Sequence, residues 1–253
     1  MLTNKTPLKY PGGKTRAKKY ILPYFPRTNE IVSPFCGSCG IELDLAAKGI
    51  RVHAYDMYED LINFWNLIKH NPERLYNTIL KHHPIDKGKF FKCVNFYEYE
   101  TDNYEKVAQF YIVNKCSYGS FTFAKSPFFS KGVSLKQIEN IKTFYNPNIT
   151  FKCLDFETSL SKHEDKFAYL DPPYITSQFY YGKNGHLHKN FDHERLAKVL
   201  KARKTPWVLS YNNCDKVKEL YQGYRFEYPI WLQSINHKEV GFASSNEILI
   251  INE

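Results

Sequence analysis

The residues with the clearest chemical potential are four in a row, Asp171-Pro172-Pro173-Tyr174, directly after the apolar run Phe167-Ala168-Tyr169-Leu170. Two adjacent prolines can neither extend a strand ladder nor open a helix smoothly, so they fix a rigid extended turn that presents its carbonyls and flanking side chains. On such a turn the Asp171 carboxylate and the Pro172 carbonyl can accept hydrogen bonds from an exocyclic amino group while Tyr174 stacks on the base. An aromatic amine is a poor nucleophile because its lone pair is delocalised into the ring. Acceptors that favour a pyramidal nitrogen, held in line with a methyl donor, lower the barrier without a metal or a covalent intermediate. A base handled this way must first leave its duplex. The alternative is a plain proline-rich turn.

A second constellation lies upstream. Pro34-Phe35-Cys36-Gly37-Ser38-Cys39-Gly40 follows a strand-like run and precedes a helix-like one. Gly37 lets the backbone approach a ligand closely and supplies the free φ the turn needs. Asp56, about twenty residues on, ends the next strand, where an acid can accept both ribose hydroxyls of an adenosine. A simple βα turn followed by a surface acid is the competing account. The glycines are spaced Gly-x-x-Gly and miss the dinucleotide pattern Gly-x-Gly-x-x-Gly, which argues against NAD.

The elements that must hold these groups alternate. Strands are expected at 30–35, 51–55, 149–154, 167–170, 207–211, 224–228 and 247–251, with helices at 40–48, 57–70, 104–116, 193–202 and 215–221. Seven strands in a βα rhythm predict an α/β, Rossmann-like sheet with helices on both faces, whose ligands bind beyond the carboxyl ends of the strands. The rhythm breaks between about 72 and 148, a Lys-rich, aromatic-rich stretch read as an inserted, mainly helical subdomain. Residues 1–71 and 149–253 then form the core domain.

Composition bounds the partners. The 253 residues carry 35 Lys+Arg against 26 Asp+Glu, a net charge of +9, and 17% are aromatic, which suits a polyanion with stackable bases. The six cysteines include one close pair, Cys36 and Cys39, and no second pair at zinc-finger spacing. His186-x-His188 near His193 is read as loop rather than metal site, and Lys198, Lys201, Arg203 and Lys204 as a solvated helix end. No signal-like start and no run of about 18 apolar residues is seen, so a soluble protein of the cytoplasm or nucleoid, without membrane or metal, is expected.

Taken in order, Lys9-Tyr10-Pro11-Gly12-Gly13-Lys14, SPFCGSCG, AYDMYEDLINFW, DPPY and LSYNN resemble the Dam-type, D12 class of adenine methyltransferases over nearly the whole chain. The resemblance implies a site-specific DNA adenine-N6 methyltransferase fold and activity with S-adenosyl-L-methionine (AdoMet) as cofactor and double-stranded DNA as partner. It implies that Tyr10 and Lys14 meet the methionine part of AdoMet, that Phe35, Gly37 and Asp56 form its strand-end site, that Asp155-Phe156 meets its adenine, and that Asp171 serves both cofactor and target. Segment 72–148 would read DNA through Lys115, Ser117, Tyr118, Thr122 and Lys125, with Tyr118 beside the flipped base and Phe121 and Phe123 in a local core. The GATC-reading pattern N-R-x-x-Y-N-G-L-x-R is not met, so the target sequence stays open. A cognate restriction endonuclease is a partner the resemblance admits. Competing functions are transfer to cytosine, RNA or a protein amide, and a non-catalytic nucleic-acid-binding module.

Overall fold

A computed structural model of the chain describes residues 5–10, 12–117, 127–129, 133–175, 191–230, 232–234, 242–244 and 246–253. In chain order the strands are β1 (Glu30–Ser33), β2 (Arg51–Asp56), β3 (Ile149–Cys153), β4 (Phe167–Leu170), β5 (Trp207–Asn212), β6 (Arg225–Glu227), β7 (Leu232–Ser234), β8 (Phe242–Ser244) and β9 (Glu247–Asn252). The helices are α1 (Lys18–Ile21), α2 (Glu42–Ala47), α3 (Glu59–His70), α4 (Pro72–Lys81), α5 (Lys87–Phe96), α6 (Asn103–Cys116), α7 (Leu135–Lys142), α8 (Phe156–Ser161), α9 (His193–Ala202) and α10 (Asp215–Leu220).

Unbroken apolar runs make the centre of the sheet. β4 and β5 are buried at every position, as strands covered on both faces must be. Seven strands join in the order β3-β2-β1-β4-β5-β9-β6, with β9 antiparallel to both of its neighbours and the pairs from β3 to β5 parallel. β7 and β8 form a separate antiparallel ribbon. Ile31 and Val32, adjacent on β1, point into different apolar clusters, one on each face of the sheet. This is the doubly wound, Rossmann-like sheet expected from the sequence. Strand order reverses between β1 and β4, and a ligand crevice belongs at the carboxyl ends of those two strands. The glycine turn follows β1 there and Asp171 follows β4.

Among the described residues the segment between α3 and β3 carries the four α-helices α4 to α7, of which the sequence reading anticipated α6. Local signals start the others. Asn71 caps α4 by accepting from the Arg74 amide with Pro72 at the first helical position, Asp86 caps α5, and Ser134 with Gln137 makes a capping box on α7. α6 is buried continuously from Val107 to Cys116, the signature of a helix enclosed on every side. Leu75, Ile79, Phe90, Phe110, Ile138 and Ile141 belong to the same apolar cluster as Ile31, Val52 and Trp65. The inserted helices thus share one interior with the sheet rather than building a separate core.

Candidate active site

The turn after β1 is built around two residues in the left-handed region, Gly37 at φ 46° and Cys39 at φ 55°. The Cys39 amide closes the turn by donating to the Cys36 carbonyl at 2.7 Å. A Cβ on Gly37 would stand 3.2 Å from Tyr10 Cε1, so glycine is what lets the Tyr10 ring lie against the turn. At Gly40 a Cβ would be 2.9 Å from the Thr15 backbone nitrogen, which fixes the N-terminal arm onto the start of α2. Cys36 and Cys39 are buried, and burial pushes Cys36 up to about 11 and Cys39 well above the usual thiol range. Burial thus favours the neutral thiol at both positions, where the small side chains fill the space behind the turn.

Asp56 holds the turn from the next strand. It accepts from the Gly37 amide at 3.0 Å and from the Tyr58 amide at 3.0 Å. Burial pushes its carboxyl up to about 6 against the pull of these backbone donors. Trp65 of α3 donates its indole N–H to the Gly37 carbonyl at 3.0 Å, locking the turn from behind.

At the end of β4, Asp171 meets the N-terminal arm. Lys14 Nζ lies 2.8 Å from Asp171 Oδ1 and 3.4 Å from Glu247 Oε2, and it also donates to the Gly12 carbonyl at 2.8 Å. Tyr174 donates to Glu247 Oε2 at 2.6 Å, sits 3.3 Å from Asp171 Oδ1, and stacks on Tyr211 at 5.7 Å. Asn212 Oδ1 accepts from the Ile175 amide at 3.1 Å, fixing the far end of the turn. Burial raises Asp171 to about 6, Lys14 lowers it and Glu247 raises it again. Burial works against the Lys14 ammonium, but Asp171 and Glu247 outweigh it and hold Lys14 above the ordinary lysine range.

An aromatic box closes the other end. Phe35 lies 5.7 Å from Phe156 and 5.5 Å from Phe191, centroid to centroid, and the Arg195 guanidinium sits over the Phe156 ring at 4.4 Å. Asp155 caps α8 through the Glu157 amide at 2.9 Å and pairs with Arg195 at 2.5 Å.

Tyr10, Lys14, Phe35, Gly37, Asp56, Asp155, Phe156, Asp171 and Pro173 all line one cleft of about 330 Å³, within the range of small-molecule sites. Pro172 is buried beneath it and Tyr174 half-buried beside it. Glu42, Phe191, Asp192 and Arg195 line the same cleft and were not singled out from the sequence, nor was Glu247. The lining is rich in carboxylates, Glu42, Asp56, Asp155, Asp171 and Asp192, while its cations Lys14 and Arg195 are both paired with acids. An apolar box at one end and surplus negative charge at the other fit an adenosyl group attached to a cationic centre, as in AdoMet.

Lys115 and Ser117 are placed differently from expectation. Lys115 is 6% exposed, donates to the Pro7 carbonyl at 3.0 Å and is pushed down to about 8 by burial, and Ser117 is 4% exposed. Neither reaches a surface where a phosphate could meet it, because the last turns of α6 face inward. Their neighbour Asn114 accepts from the Lys9 amide at 3.1 Å and donates to the Lys9 carbonyl at 2.7 Å. The end of α6 therefore anchors the arm that carries Tyr10 and Lys14. Tyr118, Thr122 and Lys125 lie outside the described residues.

Fold and site together define an AdoMet-dependent methyltransferase. Residues 10–235 match the family model described as D12 class N6 adenine-specific DNA methyltransferase. The chain is 24% identical to the Type II methyltransferase M1.LlaDCHI of Lactococcus lactis subsp. cremoris, over 96% of this chain and 94% of that protein. It is equally 24% identical to the Retron Ec67 DNA adenine methylase of Escherichia coli, over 98% and 91%. A DNA adenine methylase of Vibrio cholerae matches at 24% over 96% and 94%. The chain belongs to the D12 class of N6 adenine-specific DNA methyltransferases, and its cofactor is AdoMet.

Proposed function

We propose that the chain methylates the amino nitrogen of an adenine flipped out of double-stranded DNA, at a site defined by residues 72–148. The observation that carries this reading is that Asp171 opens into the same cleft as Asp56 and the phenylalanine box. Amine acceptor and adenosyl-binding groups thus share one cavity at the strand-order switch.

When bound, AdoMet supplies an electrophilic methyl group on its sulfonium. Asp56 accepts the ribose hydroxyls, Phe35, Phe156 and Phe191 hold the adenine ring, and Tyr10 covers Gly37 at the methionine end. Asp171, steadied at Oδ1 by Lys14, offers Oδ2 to the target amino group together with the Pro172 carbonyl. Tyr174, fixed by Glu247 and Tyr211, stacks on the target base. The proton lost from the methylated nitrogen passes to Asp171 or to solvent, which a carboxyl raised to about 6 can relay without being a strong base. Tyr118, Thr122 and Lys125 remain the candidates for DNA contact. On its likeness to a relative named a type II methyltransferase, a cognate restriction endonuclease is a proposed partner. No described helix is long and apolar enough to cross a membrane, and the proposed place of action is the cell interior, on DNA.

The test is transfer of labelled methyl from AdoMet to unmethylated duplex DNA, followed by digestion to nucleosides. Label in N6-methyladenine is expected, and label confined to cytosine, RNA or protein would reject the reading. A second expectation concerns pH. Asp56 and Asp171, both raised to about 6 by burial, must be ionised to act as acceptors. Below that value each gains a proton and becomes a donor, so kcat/KM should fall with an acid limb near pH 6. A flat profile from pH 5 to pH 8 would contradict both assignments.

A further inference from the structure

Glu42 opens α2 and is 3% exposed, yet its side chain lines the cleft. Its Oε1 accepts from the Ser33 hydroxyl at 2.7 Å. Among the described residues no cation pairs with it. Burying a carboxylate without a counter-charge is costly, and the partners of Glu42 here, the Ser33 hydroxyl and the backbone amides of Ile41 and Glu42, are neutral donors that leave its charge uncompensated.

The surroundings deepen the imbalance. From the glycine turn, Cys36 and Cys39 face Glu42 as neutral thiols. From β4, Asp171 adds negative charge and Tyr169 stays a neutral phenol, its ionisation opposed by burial and by Asp171. Asp56 of β2 is also felt by both thiols. The nearby ammonium, Lys14, is taken by Asp171 and Glu247. This end of the cleft thus holds more carboxyl groups than the Lys14 ammonium can balance.

We propose that Glu42 is a cofactor-binding residue whose carboxylate neutralises a cationic centre of AdoMet, and that it holds a proton in the empty cleft which passes to solvent when AdoMet enters. Burial pushes Glu42 up to about 7, so near neutrality the empty enzyme carries that proton about half of the time. AdoMet offers two cationic centres, the sulfonium and the amino-acid ammonium. The demethylated product AdoHcy keeps the ammonium and lacks the sulfonium charge. The inference rests on AdoMet occupying this cleft.

Calorimetry of AdoMet and AdoHcy binding between pH 6 and pH 8, in buffers of different ionisation enthalpy, tests it. Wild type should release roughly half a proton from Glu42 per AdoMet at pH 7 and bind more tightly as pH rises. Glu42→Gln should lose that release and bind AdoMet roughly tenfold more weakly at pH 8, the value of one charge-assisted contact in a dry site. A loss confined to AdoMet places Glu42 at the sulfonium, and an equal loss with AdoHcy places it at the ammonium. Ser33→Ala, which removes the hydrogen-bond donor but keeps the acid, should move the pH dependence of binding upward and serves as the second variant should Glu42→Gln not fold. Unchanged affinity and proton release in Glu42→Gln, or an unmoved pH dependence in Ser33→Ala, would overturn the proposal. Asp56→Asn separates the two levels: if it too leaves AdoMet affinity intact, the cleft assignment itself fails, whereas weakened binding there with no effect at Glu42 removes this inference alone.

Discussion

Asp171→Asn should lower methyl transfer to DNA about 10³-fold, the upper end of what one preorganised polar group contributes to a transition state, while leaving AdoMet and DNA binding within a few-fold of wild type. The substitution keeps the volume of the side chain, so the turn after β4 stays packed. It fails through hydrogen-bond polarity. Lys14 Nζ, 2.8 Å from Oδ1, is a pure donor and will select the amide oxygen. The amide nitrogen is then aimed where Oδ2 had been, and a donor faces the donor hydrogens of the target amine. The acceptor pattern needed to expose the nitrogen lone pair is inverted, although substrate and cofactor still have their other contacts. Single-turnover transfer of labelled methyl, measured beside AdoMet calorimetry, checks this. Transfer by Asp171→Asn within tenfold of wild type would remove Asp171 from the chemistry.

That residue was legible in the sequence because its environment is local. Asp171 directly follows an apolar strand, Gly37 sits in the turn after β1 and Asp56 ends β2, and strand ends at a switch point are where doubly wound sheets place ligands. Glu247, Glu42, Phe191 and Arg195 were not legible for the opposite reason. Glu247 reaches Tyr174 because β9 pairs antiparallel with β5 and sets Glu247 opposite Asn212, a register no local pattern states. Phe191 and Arg195 depend on how α9 docks beside α8. Glu42 left only a faint trace, one of two acids with Asp44 in the first turn of Glu42-Leu43-Asp44-Leu45-Ala46-Ala47, and acids in a first helical turn usually just complement the helix dipole. Lys115 and Ser117 lie elsewhere than expected for another reason. Basic residues beside aromatics suggested a DNA face, whereas α6 is enclosed on all sides and spends its polar groups on the N-terminal arm. The helices α4, α5 and α7 are marked by Asn71-Pro72, Asp86 and Ser134-x-x-Gln137, capping signals that lie outside the strand and helix alternation.

Lys14→Ala carries the largest expected effect on stability. The sequence resemblance gave Lys14 to the methionine part of AdoMet. In the fold it lies 5% exposed between two acids, Asp171 and Glu247, with the Tyr174 ring 5.0 Å away. Removing it leaves two carboxylates buried side by side, and losing one partner of such an arrangement costs about 3 to 5 kcal/mol. For a chain of this size that lowers Tm by roughly 10 °C. The pH dependence identifies the cause. Asp171 is already raised to about 6 with Lys14 present, and without the ammonium it rises further. A carboxyl whose folded value lies above its unfolded one contributes stability that is complete below the unfolded value and is lost as pH climbs through the folded one. The Tm deficit of Lys14→Ala should therefore be largest at pH 8 and shrink towards pH 5. Adding Glu247→Gln removes one of the two stranded charges and should restore part of the loss at pH 8, with little change at pH 5. A deficit equal at both pH values would mean that lost packing, rather than uncompensated charge, explains it. Were AdoMet affinity to collapse in Lys14→Ala while Tm held at both pH values, the ammonium would belong to the cofactor as the resemblance implied, and its bridge between Asp171 and Glu247 would count for little.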